Sequence, residues 1–333
     1  MSKLRCGAAF LVTVAAQAIG QSVLGLAVTE THRLSSAGQL VLPFRCASNG
    51  AIYGRFPSGG PPLFQVLEFA PDGSQKGSYS YLSDPELKAA FLEDFAVTGN
   101  GEVYELAEVW KNRVFVVTFS GDGQIANKSE LVTRHPVNLS HIVALPEDRI
   151  FVSGSLVGDE HGNNAGKPFN AIFDRSGKLL REITLGGDPK PKEAKAADRK
   201  GDGNPAVKWG RTVAGDDGNL YVMRQRSPAV VYVVSQAGSV QRKLTIAAPV
   251  EKALPIELEV NGGRLAIEFS VVDAPDVGDT RIRIVNAQTG QNIADYSVTA
   301  ELGEALTCYR ADGEFTFLRE TDGWPRIIQA AGR

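Results

Sequence analysis

The sequence predicts an all-β fold: a six-bladed β-propeller of four-stranded antiparallel blades, its ring closed by the N-terminal strand pairing with the last blade. Three observations predict it. A turn glycine recurs at one point of each unit, as Gly73, Gly123, Gly177, Gly238, Gly290 and Gly332. Ahead of each stands a second marker, an apolar strand, a tight turn and another apolar strand. The chain ends are complementary: the last unit lacks a fourth strand, and residues 26–35 (LAVTETHRLS) belong to no complete unit. A four-strand meander cannot bury both faces alone, and a repeat of about 45–50 residues built this way is the signature of a propeller blade.

From the N-terminus, the chain first shows an export signal. Lys3 and Arg5 precede a short apolar run at 7–15, and Ala16-Gln17-Ala18 has the small-x-small form that signal peptidase cuts. Residues 1–18 are therefore read as a signal peptide and 19–333 as a single propeller domain with an insertion at 186–210. The apolar run is too short to cross a bilayer, and no later one is long enough. No membrane span is expected after cleavage, and the location is periplasmic or extracellular. The formal net charge of −3 becomes two units more negative once Lys3 and Arg5 are removed. That argues against nucleic acid and anionic membranes as partners. A monomer is expected.

The units follow in order. Their first hairpins are PFRCASNGAIY from Pro43, DFAVTGNGEVY from Asp94, HIVALPEDRIF from His141, RTVAGDDGNLY from Arg211, IELEVNGGRLA from Ile256 and LTCYRADGEFTF from Leu306. Turn pairs such as Asn49-Gly50, Asn100-Gly101 and Asp312-Gly313 favour the positive φ of tight hairpins. In the second hairpins an apolar anchor stands four places before the turn glycine, as Phe69, Phe119, Phe173, Val234 and Ile328; in the fifth unit Val285 stands five places before. One stretch reads as a short loop helix, 84–94 (DPELKAAFLED), with Leu87 and Phe91 on one side.

Two cysteines survive signal cleavage, Cys46 in the first unit and Cys308 in the last. A disulfide and two buried free thiols are both compatible with this count in an exported chain. On a register taken from the turns, Cys308 matches Arg45 rather than Cys46, and a one-residue difference in turn length would bring the pair together.

The second unit, GNGEVYELAEVWKNRVFVVTFSGDGQI, is similar to NHL-type repeats: Gly-Asn before a tyrosine, then Asn112-Arg113-Val114, then Phe119 and Asp122-Gly123. The fourth keeps GDDGNLYV, but its middle, RQRSPAVVYV, lacks the Asn-Arg pair, and the fifth and sixth depart further. The likeness spans essentially the whole exported chain, at the level of architecture. Six-bladed propellers of this kind include hydrolases, lyases, sensor domains and protein-binding scaffolds, so fold alone does not decide activity.

Function is sought on the face carrying the long loops, 54–63, 80–94, 131–141, 155–168, 186–210 and 270–280, because loops of unequal length on a rigid scaffold are where binding usually sits. The insertion at 186–210 is rich in Lys, Asp, Pro and Ala. It reads either as a solvated excursion or as a flap over the channel anchored by Trp209. Aligning the first strands on their turns puts Pro43, Asp94, His141, Arg211, Ile256 and Leu306 at one register near the channel mouth. Asp94, His141 and Arg211 are its polar members, from three successive units, and convergence of polar groups on a concave centre is the ordinary recipe for a ligand site. Arg224 and Arg226 follow the fourth unit's second strand and would add donors for a carboxylate or phosphate. Such residues also serve simply to bond blade to blade.

The resemblance raises one metal. Lactonase-like six-bladed propellers hold a channel calcium with a Glu and several Asn or Asp from different blades. At the matched register only Asp94 qualifies, with Glu259 and Asn138 at neighbouring positions, so no cofactor is expected and calcium is the alternative. Asp216-Asp217-Gly218-Asn219 and Asp202-Gly203-Asn204 lack the spacing of a complete calcium loop. No nucleophile elbow, phosphate loop or zinc-helix motif occurs. The sequence thus supports an exported binding module that takes a small molecule or a protein on its long-loop face, with a calcium-dependent lactonase-like hydrolase or lyase as the alternative, and leaves catalysis undecided.

Overall fold

The computed structural model describes residues 22–35, 41–58, 64–109, 113–157, 166–186, 211–271, 280–303 and 305–333. The signal segment, Trp209 and nearly all of the 186–210 insertion lie outside the described residues.

The first strand, β1 (Leu24–Arg33), is followed by four four-stranded antiparallel sheets in chain order. These are β2 (Val41–Cys46) to β5 (Gln75–Tyr79) by way of β3 (Ile52–Pro57) and β4 (Phe64–Phe69); β6 (Phe91–Val97), β7 (Val103–Val109), β8 (Arg113–Phe119) and β9 (Ile125–Glu130); β10 (Val137–Leu145), β11 (Arg149–Leu156), β12 (Pro168–Asp174) and β13 (Leu179–Glu182); and β14 (Thr212–Ala214), β15 (Leu220–Arg224), β16 (Ala229–Val234) and β17 (Val240–Ile246). The remaining strands are β18 (Ala253–Asn261), β19 (Arg264–Val271), β20 (Arg281–Asn286), β21 (Asn292–Ser297), β22 (Ala305–Tyr309), β23 (Glu314–Thr321) and β24 (Trp324–Gly332). They form one eight-stranded sheet in the order β18-β19-β20-β21-β1-β24-β23-β22.

The innermost strands β2, β6, β10, β14, β18 and β22 neighbour one another in that order, and β22 returns to β2. Apolar cores fill the spaces between neighbouring four-strand units. Tyr53, Val66 and Tyr79 meet Phe95, Val117 and Phe119 in the first such core. In the last, Leu318 and Ile327 pack against Phe44, Phe56 and Phe69, so the chain closes on itself.

β1 adds a hydrogen-bonded closure to this packing. From Leu26 to Arg33 it pairs antiparallel with β24, satisfying an edge that would otherwise be open, while only Leu24 and Gly25 touch β21. The turn glycines explain themselves here. Gly73 and Gly123 hold φ of 81° and 80°, and a Cβ on either would come within 2.3 Å of a carbonyl oxygen, that of Arg33 and Ser78 respectively. Each turn lies against the outermost strand of the preceding unit, and β1 plays that part for β2–β5. Gly332 is different: it lies in β24, paired with Leu26, because β1 replaces the fourth strand.

Cys46 and Cys308 are joined by a disulfide, with Cα atoms 6.0 Å apart, a second tie between the first and last innermost strands. The expected helix at 84–94 does not form. Among the described residues the only helix is the single 3₁₀ turn Tyr81–Ser83, followed by a turn in which the Asp84 carbonyl accepts from the Lys88 amide at 2.9 Å. Pairing with β7 draws Phe91 into a strand, where it is exposed, while Leu87 is buried.

Candidate functional site

Five of the six innermost strands carry an irregularity near mid-strand, between Val41 and Phe44, Leu92 and Asp94, Leu139 and His141, Pro255 and Glu257, and Leu306 and Cys308. A bulge re-aims the side chains around it. The residues resuming the ladder are therefore Phe44, Asp94, His141, Glu257 and Cys308. Glu257 thus takes the place that turn counting assigns to Ile256, and Cys308 the place assigned to Leu306.

This layer is ionic, and its partners belong to different sheets. Asp94, 1 % exposed, accepts from Arg45 Nη2 of β2 at 3.3 Å to both oxygens and from the Ile142 amide of β10 at 3.1 Å. His141 Nδ1 stands 3.5 Å from the same carboxylate. Burial pushes the Asp94 carboxyl up, but Arg45, His141 and the Ile142 amide together outweigh it and hold it below the ordinary range. Arg211, just ahead of β14, forms a close ion pair with Glu257 of β18. Burial works against its charge, yet Glu257 and, more weakly, Glu259 and Asp94 leave the guanidinium pKa raised. Glu268 of β19, fully buried, accepts the Leu306 amide of β22 at 2.8 Å on Oε2, and its Oε1 has no partner among the described residues. Burial pushes this carboxyl up to about 8, with Glu257 adding to it.

Beside this layer lies a cavity of about 370 Å³. It extends along the innermost strands to their hairpin turns, so that Ala96, Ile142, Thr212 and Glu259, one or two residues beyond the ionic groups, line it together with Arg45, Val213, Val260 and the disulfide. Its described mouth is formed by the tight turns at Ser48, Thr98, Pro146, Asp216 and Arg310, at the end opposite the long loops. Of those loops, 59–63, 158–165, 187–210 and 272–279 lie outside the described residues.

The sequence-predicted residues divide accordingly. Asp94 and His141 meet at 3.5 Å in the ionic layer, where Arg211 pairs with Glu257 instead, and none of the three lines the cavity. Arg224 ends β15, away from the turn that joins it to β14, and the Arg226 amide donates to its carbonyl at 2.9 Å; neither lines the cavity. Asp217 spends its carboxylate on the turn itself, accepting the Asn219 amide at 3.0 Å and the Tyr221 hydroxyl at 2.9 Å. Asp202-Gly203-Asn204 lies outside the described residues, and among those described no three His, Cys, Asp or Glu side chains group as a metal site. Arg45, Glu257, Glu268 and Thr212 escape sequence reading. The signal that was available is carboxylates within otherwise apolar strands, IELEV and LAIEFS.

Sheets set around a channel, each packed on the next and the last packed on the first, define a β-propeller. Solved structures agree at the level of fold. The chain is similar to a luciferin-regenerating enzyme at 8% identity and a TM-score of 0.53, over 91% of this chain and 95% of that one. A PQQ-bound aldose sugar dehydrogenase from Streptomyces coelicolor gives 11% identity and 0.50, over 93% and 98%. A protein of unknown function from Bacteroides caccae gives 11% and 0.50, over 85% and 96%. No family model matches the chain, and no curated protein does, so the NHL-like resemblance stands for architecture alone.

Proposed function

We propose that this chain is an exported, monomeric, six-bladed propeller that works as a binding module and takes its ligand in and around the central channel. The blade count reads the eight-stranded sheet as two blades, β18–β21 and β22-β23-β24-β1, because β1 shares seven residue pairs with β24 and only two with β21. Export rests on the signal-type segment at 1–18, and a disulfide is in keeping with an oxidising compartment.

One observation carries the binding reading. Asp94 and Arg211, two of the charged residues at the channel register, are each committed to a partner in a neighbouring sheet. Groups so engaged brace the ring, and what remains for a ligand is a cavity in which apolar wall alternates with polar side chains such as Thr212 and Glu259, a mixture suited to a binding pocket. Long-loop residues, Arg224 and Arg226 among them, form the opposite rim in this reading, where a larger partner would meet the ring.

The competing calcium-dependent hydrolase makes a different prediction. Purified protein melted with calcium and with EDTA, and incubated with a panel of aliphatic lactones, should show the same midpoint in both and no ring opening. A calcium-dependent rise in midpoint together with lactone hydrolysis would overturn the binding module. N-terminal sequencing of exported protein should begin at Ile19, and retention of Met1 would remove the signal-peptide part of the proposal.

A further inference from the structure

The polar groups that line the cavity are not all partnered among the described residues. Arg45 is matched by Asp94, and Arg310 at the mouth by Asp312 and Glu314. The two acidic lining residues have no such match. Among the described residues Asp216 accepts only the Gly262 amide, at 3.1 Å. Glu259 makes no hydrogen bond or ion pair among the described residues. A second observation points the same way: Thr212, 6 % exposed and lining the cavity, has an Oγ1 with no hydrogen-bond partner among the described residues. Ile142, Val213 and Val260 supply apolar wall.

We propose that the cavity is a site for a small amphiphilic organic cation, a protonated alkyl or aryl amine, with Glu259 as its counter-ion and Thr212 Oγ1 as a further acceptor. The proposal rests on reading the channel as the binding site. It follows from what each candidate ligand would meet. An anion would find both guanidinium groups already engaged and an acidic side chain on the wall. A neutral ligand would have no charge to pair with the Glu259 carboxylate. An ammonium donates N–H to the Glu259 carboxylate and to Thr212 Oγ1 while its hydrocarbon covers the apolar wall.

The site also holds a proton to release. Burial, reinforced by Glu257 on the same strand, pushes the Glu259 carboxyl up to about 8, against the pull of Arg211 ahead of β14 and Arg45 on β2. Glu268 on β19, itself raised, adds no positive charge. At neutral pH the carboxyl is largely protonated. When the ammonium enters, the Glu259 O–H bond breaks, its electron pair stays on the carboxylate, and the proton passes to buffer. Amine binding is thereby coupled to proton release and strengthens as pH rises toward about 8.

Calorimetric titration of the full exported chain tests this with benzylammonium and hexylammonium, using benzyl alcohol and benzoate as neutral and anionic counterparts. We expect the amines to bind and the alcohol and the acid not to. Buffers of different ionisation enthalpy should report close to one proton released per amine below the Glu259 pKa. Glu259→Gln should weaken binding by about tenfold or more and abolish the proton release, and Thr212→Val should weaken it severalfold. Should Glu259→Gln fail to fold, Thr212→Val and the buffer series on the unaltered chain carry the test. Absence of amine binding at millimolar concentration, equal binding of benzoate or benzyl alcohol, or unchanged binding in a cooperatively melting Glu259→Gln would each overturn the proposal. If amines fail and no lactone is opened, the cation site falls and the binding module stands. If benzylamine is bound and converted to a new product, the module falls and the cation site stands.

Discussion

Removing the Asp94 carboxylate should show whether the ionic layer braces the ring. Asp94→Leu would strand the Arg45 guanidinium, which is itself half-buried, and leave the Ile142 amide without its acceptor. Breaking a buried pair from one side costs about 3–5 kcal/mol, and an orphaned amide alone about 1–3 kcal/mol. The two overlap in one network and do not add, so we expect about 4 kcal/mol in urea unfolding with an unchanged slope. Asp94→Asn keeps an oxygen for the Ile142 amide and loses only the charge, for about 2 kcal/mol. The double variant Arg45→Met with Asp94→Leu replaces both charges by apolar volume and should recover most of the loss, since such replacements are often neutral. The acid limb gives a second reading. A carboxyl held below its unfolded value contributes stability above about pH 4 and loses it as pH falls through the lower folded value. Asp94→Asn should therefore flatten the acid limb. If Asp94→Leu lies within about 0.5 kcal/mol of the unaltered protein, as a surface change would, or if the double variant is no better than the single one, the bracing argument fails.

Three more predictions concern buried groups away from that pair. Glu268 is raised rather than lowered, so its contribution is complete below about pH 4 and declines as pH rises toward about 8, by at most about 1.4 kcal/mol per unit; Glu268→Gln, which keeps an acceptor for the Leu306 amide, should flatten the alkaline limb of a stability-against-pH curve. Glu105 of β7 is fully buried between the first two sheets with neither carboxyl oxygen partnered among the described residues, and burial raises its pKa far above normal against a weak pull from the Val66 amide; Glu105→Met should raise the thermal midpoint, with a gain of about 1–3 kcal/mol, and a fall would show that the carboxyl is satisfied. The disulfide spans 262 residues of sequence; Cys46→Ser with Cys308→Ser should cost about 2–4 kcal/mol, below the chain-entropy ceiling of roughly 5–6 kcal/mol for so long a loop, and an identical midpoint with and without reductant in the parent would count against the bond.

The blade repeat was legible because its marker residues answer to two local demands at once. Gly73 and Gly123 must hold a positive φ and must also admit a neighbouring strand's carbonyl, so no other residue serves, and the spacing of these glycines reports the blades. The unpaired final strand and the orphan segment at 26–35 were legible for the same kind of reason, since an open edge needs a partner. Register within the channel was another matter. A bulge adds a residue without altering turn chemistry, so counting back from the turns put Ile256 where Glu257 resumes the ladder, and hid the partner of Arg211. The long-loop face stands out by its unequal loop lengths, yet the described cavity opens at the tight turns, whose short sequences advertise only hairpins.

Even so, the ionic layer has a periodicity of its own. Arg45 and Asp94 are 49 residues apart, Asp94 and Ile142 48, and Arg211 and Glu257 46, each close to one blade. In a ring of repeats, equivalent positions in successive blades are spatial neighbours, so a charge and its complement separated by one repeat length are candidates for contact even when nothing nearby in sequence relates them. Applied to Glu259, the rule asks for a cation about one repeat away, and Arg211, the nearest at that spacing, is already held by Glu257. The repeat that pairs Arg45 with Asp94 and Arg211 with Glu257 leaves, among the described residues, no free cation at that spacing for Glu259, which is why the proposed counter-ion is a ligand.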